Sequence, residues 1–131
     1  MMIRNFSIAI LIAFGANNIA LSQQPVEYTP AIDILNEAQT NLDDENYKLA
    51  IKKLVKINEN DTAFAWANFK LMVTYAADSN YREAVNCGLK GLKLNSEFQS
   101  RYIKNVSNYY SELNMHDSAF YYVDSMVHMY P

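Results

Sequence analysis

The amino-acid sequence predicts an all-α protein made of repeated helix pairs, and three observations support this fold class. The chain has 131 residues, of which 50% are hydrophobic and 19% charged, so it can bury a core. It contains only three glycines and three prolines, too few for the many turns of an all-β fold. Apolar residues recur at helical spacing, and the pattern itself repeats about every 34 residues.

The N-terminal 22 residues have the pattern of a signal peptide. Arg4 precedes an apolar run at residues 6–16, and a small-x-small cleavage pattern follows at residues 20–22. The run is shorter than the roughly 20 residues that span a bilayer, although an uncleaved anchor is the alternative. We therefore expect an exported protein, periplasmic or secreted, with no stable membrane insertion after cleavage. Residues 23–30 are the linker to the folded part.

The first helix pair is predicted within residues 31–62. Thr29 and Pro30 form a helix-start signal, because proline is tolerated in the first turn and threonine can cap it. Apolar residues then form one stripe through Leu42, and the polar residues 41–46 form the turn. The stripe of the second helix consists of Tyr47, Ala50, Leu54 and Ile57.

Two further units follow, at residues 63–97 and 98–131. Their helices are predicted over 63–77 with 81–94, and over 98–113 with 117–130. A small alanine recurs at one position of each second helix, where it allows the two helices to approach closely. These alanines are Ala50, Ala84 and Ala119, which are 34 and 35 residues apart.

With this period and these residues, the chain over 31–131 resembles the tetratricopeptide repeat (TPR) family, whose unit is a helix-turn-helix of 34 residues. The resemblance implies an α-α superhelix, a right-handed solenoid of about three repeats. In such a superhelix the first helices line a concave side that holds a peptide or protein segment. The matching positions are the three alanines, Tyr47, Tyr81, Tyr75, Tyr110 and Pro131.

The helix over 63–77 is apolar on two sides, which makes it a candidate partner-binding helix. Besides its core stripe it carries Trp66, Phe69 and Val73 at helical spacing on another face. The resemblance places this second stripe toward the groove, where it would contact an apolar partner. The alternative is packing against the neighbouring unit.

The first helix of the third unit adds polar groups to the predicted groove. Arg101, Lys104 and Asn108 fall on one helical face, and their donors suit a carboxylate or a peptide backbone. An ordinary solvated polar face is the alternative.

The last helix is apolar nearly all round, whereas terminal repeats usually need a polar outer face. Tyr121 and Met129 on this C-terminal face are therefore predicted to be covered. The cover would be self-association into a homo-oligomer, a partner, or further sequence of a longer parent.

The sequence contains no motif for catalysis or for cofactor binding. There is no Gly-rich phosphate loop or hydrolase signature, and His116 and His128 are too far apart for a two-histidine metal face. The single cysteine, Cys87, lies in an apolar stretch and is expected to be buried rather than paired between chains. A formal net charge of −3 leaves no basic surplus to hold a nucleic-acid backbone. We expect no enzyme activity, metal or cofactor.

The function that fits these features best is an exported protein–protein interaction module. It would hold a protein or peptide partner on the concave face and self-associate through its C-terminal helix. An extracytoplasmic sensor region of a larger signalling protein is the alternative, and an all-helical enzyme with an unrecognised site is a third.

Overall fold

The computed structural model describes residues 30–94 and 96–129, and these ranges contain six α-helices and no strand. This confirms the predicted all-α class. The predicted signal peptide at residues 1–22 lies outside the described residues. The helices are α1 (Pro30–Asp43), α2 (Tyr47–Leu54), α3 (Phe64–Ala77), α4 (Tyr81–Leu92), α5 (Gln99–Glu112) and α6 (His116–Met129).

The first helix of every pair, α1, α3 and α5, has the same length of 14 residues. The predicted ends of these helices agree with the observed ones to within a residue or so. The second helices α2 and α4 end earlier than predicted, at Leu54 and Leu92. After α2 the chain tightens, because the Ile57 N–H donates to the Leu54 carbonyl three residues earlier at 3.2 Å. Ile57 nevertheless stays in the core, only 5% exposed.

The two helices of each pair are joined by the same three-residue turn. Its middle residue, Glu45, Ser79 or Asn114, has a left-handed backbone with φ of 57°, 59° and 58°. The N–H of the residue that follows donates to a carbonyl five residues earlier, at 2.7 to 2.8 Å. This bond closes the end of the preceding helix in the manner of a Schellman motif.

Within the described ranges, each helix packs mainly against its neighbours in sequence, which gives a helical repeat-like architecture. The three recurring alanines are buried. The core has two main clusters, one shared by α1, α2 and α3 and the other by α3, α4 and α5. The helix α3 takes part in both, so it is the central element of the fold.

Two glycines bring α4 close to α5. A methyl group added at Gly88 would overlap the Val106 side chain, and one added at Gly91 would overlap the Tyr102 ring. Large residues of α5 thus occupy the space that the glycines of α4 leave. None of the helices in the described ranges is long and apolar enough to cross a membrane.

Candidate functional site

An open hollow of about 650 Å³ lies between α3 and the start of α5, and we call it the α3–α5 groove. It is formed by the first helices of the second and third pairs together with the loop ends that precede them. Its lining combines two aromatic rings, a guanidinium, a carboxylate and two hydroxyls. The lining residues are Thr62, Ala65, Trp66, Ser96, Glu97, Phe98 and Arg101.

Three aromatic rings from α3 and the α5 start stack next to this groove. The centroid of Phe98 lies 5.3 Å from that of Trp66 and 5.7 Å from that of Phe69, and Trp66 and Phe69 are 5.8 Å apart. Phe69 also meets Tyr102 of α5 edge-on at 5.6 Å. Much of the second apolar stripe of α3 is therefore used for packing on the next pair. Trp66 both stacks on Phe98 and lines the groove.

Two cations lie over the rings of this cluster. The Arg101 guanidinium is 5.7 Å from the centroid of Phe98, and the Lys70 ammonium is 4.9 Å from that of Trp66. Lys70 also donates to Gln39 Oε1 on α1, and Gln39 Nε2 donates to Asp43 Oδ1 at 2.8 Å. Burial lowers the pKa of Lys70, and the Asp43 carboxylate opposes that shift. These contacts tie the position of Trp66 to α1.

A buried hydrogen-bond network fixes α3, α4 and α5 beneath the rings. The Tyr102 hydroxyl donates to the Ala65 carbonyl at 2.9 Å and accepts from Asn68 Nδ2 at 3.1 Å. Asn68 Nδ2 is also 2.9 Å from the Cys87 carbonyl, which accepts from it. Both side chains are almost fully buried, so the network sets the distance between α3 and α5.

The polar residues predicted to face the groove from α5 are exposed to solvent. Arg101, Lys104 and Asn108 are exposed and follow one another at helical spacing from the groove along α5. Between them, Asn105 donates to the Arg101 carbonyl at 2.8 Å and accepts from the Tyr109 hydroxyl at 3.2 Å. Of the three predicted donors, only Arg101 is among the residues lining the groove.

Val73, the third predicted apolar residue of α3, is half-buried and packs on the second core cluster. Phe98 and Lys70 also contact Trp66, and no pattern in the sequence indicated either of them. Phe98 stands just before α5, in the position that Ala63 takes before α3. Helical periodicity shows which residues share a face of one helix, so it does not reveal that Phe98 contacts Trp66 of the preceding pair.

A second hollow, of about 640 Å³, lies on the other side of α3. Phe64, Asn68 and Leu71 line it from α3, and the half-buried Cys87 lines it from α4. Burial raises the pKa of Cys87 to about 11, with the Glu83 carboxylate adding to the shift and Lys90 opposing it. The thiol is therefore protonated at neutral pH and a weak nucleophile.

The C-terminal helix α6 leaves large apolar side chains in solvent. Tyr121 and Met129, the residues predicted on this face, are 65% and 53% exposed. A separate stripe is exposed as well, formed by Phe120, Val123 and Val127 at spacings of three and four residues. Because the sequence of α6 is apolar nearly all round, it does not distinguish this stripe from the face of Tyr121.

In the ranges 30–94 and 96–129, no group of three or more His, Cys, Asp or Glu residues could hold a metal ion. A comparison with known protein families found none that matches the chain, and a comparison with curated proteins found no match either.

Proposed function

We propose that the chain is an exported protein–protein interaction module of TPR-like repeats. In this proposal the three helix pairs form a right-handed α-α superhelix, and its first helices present the α3–α5 groove to a segment of a partner protein. The equal lengths of α1, α3 and α5 and the identical turns of the three pairs support the repeat assignment.

The observation that carries the binding proposal is the composition of the groove. Trp66 and Phe98 provide an apolar surface, and Arg101 and the two loop hydroxyls provide donors around it. Binding sites for protein segments often combine a partly buried aromatic anchor with an arginine at the rim. Lys104 and Asn108 continue the row of donors along α5, so an extended segment would cross from the groove onto this row.

The groove therefore favours a partner segment with one apolar side chain and a carboxylate near it. The apolar side chain would contact Trp66 and Phe98, and the carboxylate would pair with Arg101. Because Arg101 is exposed, its contribution depends on salt, and binding should weaken as ionic strength rises.

Trp66 is the only tryptophan of the chain, which makes its fluorescence a direct reporter of this groove. We would select binders from a random-peptide phage library and titrate the enriched peptides while recording Trp66 emission. Arg101→Ala is expected to weaken binding about tenfold, which corresponds to about 1.4 kcal/mol.

Arg82→Ala is the matched control, because Arg82 is also an exposed arginine but lies on α4 outside the groove. It should leave the affinity unchanged. If no enriched peptide changes Trp66 emission, or if both arginine variants weaken binding equally, the groove is not the binding site.

Export is the second part of the proposal and depends on residues 1–22. Expression of the full sequence in a secreting host should yield a processed protein outside the cytoplasm, beginning at Gln23. Intact mass and N-terminal sequencing test this. A product that retains residues 1–22 would contradict cleavage.

A further inference from the structure

Two residues of the exposed stripe on α6, Phe120 and Val123, correspond to positions that are buried in α4. Counted from the recurring alanines, Phe120 and Val123 correspond to Val85 and Gly88 of α4. Both α4 residues are buried, and α5 packs over Gly88. In α2 the position of Val123 is taken by Leu54, which is buried beneath α3.

This face is thus the surface through which α2 and α4 each carry the next helix pair. On α6, within the described residues, Phe120 is 71% exposed and Val127 is 60% exposed. Apolar side chains of this size in solvent favour association.

We infer that a second copy of this chain covers the stripe, with α6 packed against α6 of the other copy around a two-fold axis. The inference goes beyond the proposed function: it develops the self-association that the apolar last helix predicts, and it does not depend on the groove. A second copy could bind in two ways, head-to-tail or with α6 against α6. The residues of α1 and α6 distinguish between these two arrangements.

Head-to-tail stacking would place α1 of the next copy on the stripe. The α1 positions that correspond to Tyr102 and Val106 of α5 are Asp33 and Glu37, and both are exposed. Glu37 moreover pairs with Lys53 of its own chain. Packing these carboxylates against the apolar stripe would remove them from water, which costs free energy. Head-to-tail stacking is therefore disfavoured, which leaves a closed dimer around a two-fold axis.

The stripe is also complementary to itself in the antiparallel direction. Phe120 and Val127 are two helical turns apart, with Val123 between them. Reversal of one helix places the large Phe120 ring of each copy on the smaller Val127 of the other, while the Val123 side chains meet near the axis. The macrodipoles of the two helices then also run in opposite directions.

The interface would be small, because α6 is only about 21 Å long and offers one side. We therefore expect a dimer that dissociates in the micromolar range. Sedimentation velocity across a dilution series tests this on protein expressed from the full sequence, with its processed N terminus defined by intact mass.

Phe120→Glu and Val127→Glu should each abolish the dimer. Tyr121→Glu is the matched control, since Tyr121 is on the same helix and nearly as exposed but faces away from the stripe. Circular dichroism must show that all three variants stay helical, which their exposure favours. All three should keep the peptide response of Trp66, which separates this inference from the groove proposal.

Cysteine cross-linking tests the direction of the helices. In a Cys87→Ser background, a mixture of Phe120→Cys and Val127→Cys chains should oxidise mainly to the mixed disulfide. A protein that stays monomeric at several hundred micromolar, a dimer abolished by Tyr121→Glu but not by Phe120→Glu, open-ended oligomers, or a predominance of Phe120→Cys homodimers would each overturn the inference.

Discussion

The middle residues of the three turns carry the strained backbone of this molecule. Glu45, Ser79 and Asn114 are the non-glycine residues with positive φ within the described ranges. A side chain in the left-handed region costs roughly 1 to 2 kcal/mol, and asparagine tolerates it better than the other two. The turns keep this conformation because it allows two helix-ending hydrogen bonds to form.

Replacement of Ser79 by glycine should therefore stabilise the protein. At a φ of 59° glycine has no Cβ strain, so the free energy of unfolding should rise by about 0.5 to 1 kcal/mol. Urea unfolding followed by circular dichroism measures the change. Ser79→Val provides the opposite test, because a β-branched side chain should lower stability at the same site. Equal stability of all three proteins would show that the turn is not left-handed.

At the scale of helices, the contact of α4 with α5 depends on Gly88 and Gly91. Alanine is the better helix former by about 1 kcal/mol, so propensity alone predicts that Gly88→Ala is stabilising. The structure predicts the reverse, because the added methyl group overlaps Val106 and also lies 3.2 Å from Met72 Sδ. We expect a net loss of about 1 to 3 kcal/mol in thermal or urea unfolding.

Val106→Ala supplies the control for this prediction. It removes the side chain that the new methyl group meets, so Gly88→Ala should be much less destabilising in that background. Additive effects of the two substitutions would mean that Gly88 and Val106 are not in contact.

The helices could be predicted from the sequence because their apolar residues follow the helical period closely. Ala50, Ala84 and Ala119 were predicted as close-packing positions, and all three are buried. The end of α2 could not be predicted, because Ile57 continues the apolar pattern beyond the last residue of the helix. Ile57 lies in an irregular turn, and its side chain is nevertheless buried. Regular spacing of apolar residues indicates which side chains are buried. Whether the backbone is still helical depends on its hydrogen bonds.

The candidate site could be predicted only in part. Trp66 and Arg101 are predicted to lie on the concave side, Trp66 through the family resemblance, and in the structure both line the α3–α5 groove. The contact of Trp66 with Phe98 joins residues 32 positions apart in different pairs, and its geometry depends on how closely α3 and α5 approach. That approach is set by the buried bond between Asn68 and Tyr102, which no pattern in the sequence indicated.

At the scale of the whole molecule, stability should fall at alkaline pH. Burial raises the pKa of Cys87 to about 11 and raises the pKa of four tyrosines. A group with a higher pKa in the folded chain stabilises the fold below its unfolded pKa, and this contribution is lost as the pH rises through the folded pKa. Burial lowers the pKa of Lys70, which by itself would make the stability rise with pH. Among the described residues, this one group opposes five groups whose pKa is raised. The tyrosines are Tyr75, Tyr102, Tyr109 and Tyr122.

The free energy of unfolding should therefore be level near pH 8 and decrease from about pH 9 toward pH 11. Urea unfolding at a series of pH values measures it. Cys87→Ser removes the thiol and should make the decrease shallower. A stability that rises with pH over this range would contradict the burial of these groups.

The central claim, that a partner segment binds in the α3–α5 groove, is tested most directly by NMR chemical-shift mapping with a selected peptide. The claim predicts that the largest amide shifts occur at Ala65, Trp66, Phe98 and Arg101 and continue along the exposed side of α5. Shifts concentrated instead around Asn68, Cys87 and Lys90, in the hollow on the other side of α3, would contradict it.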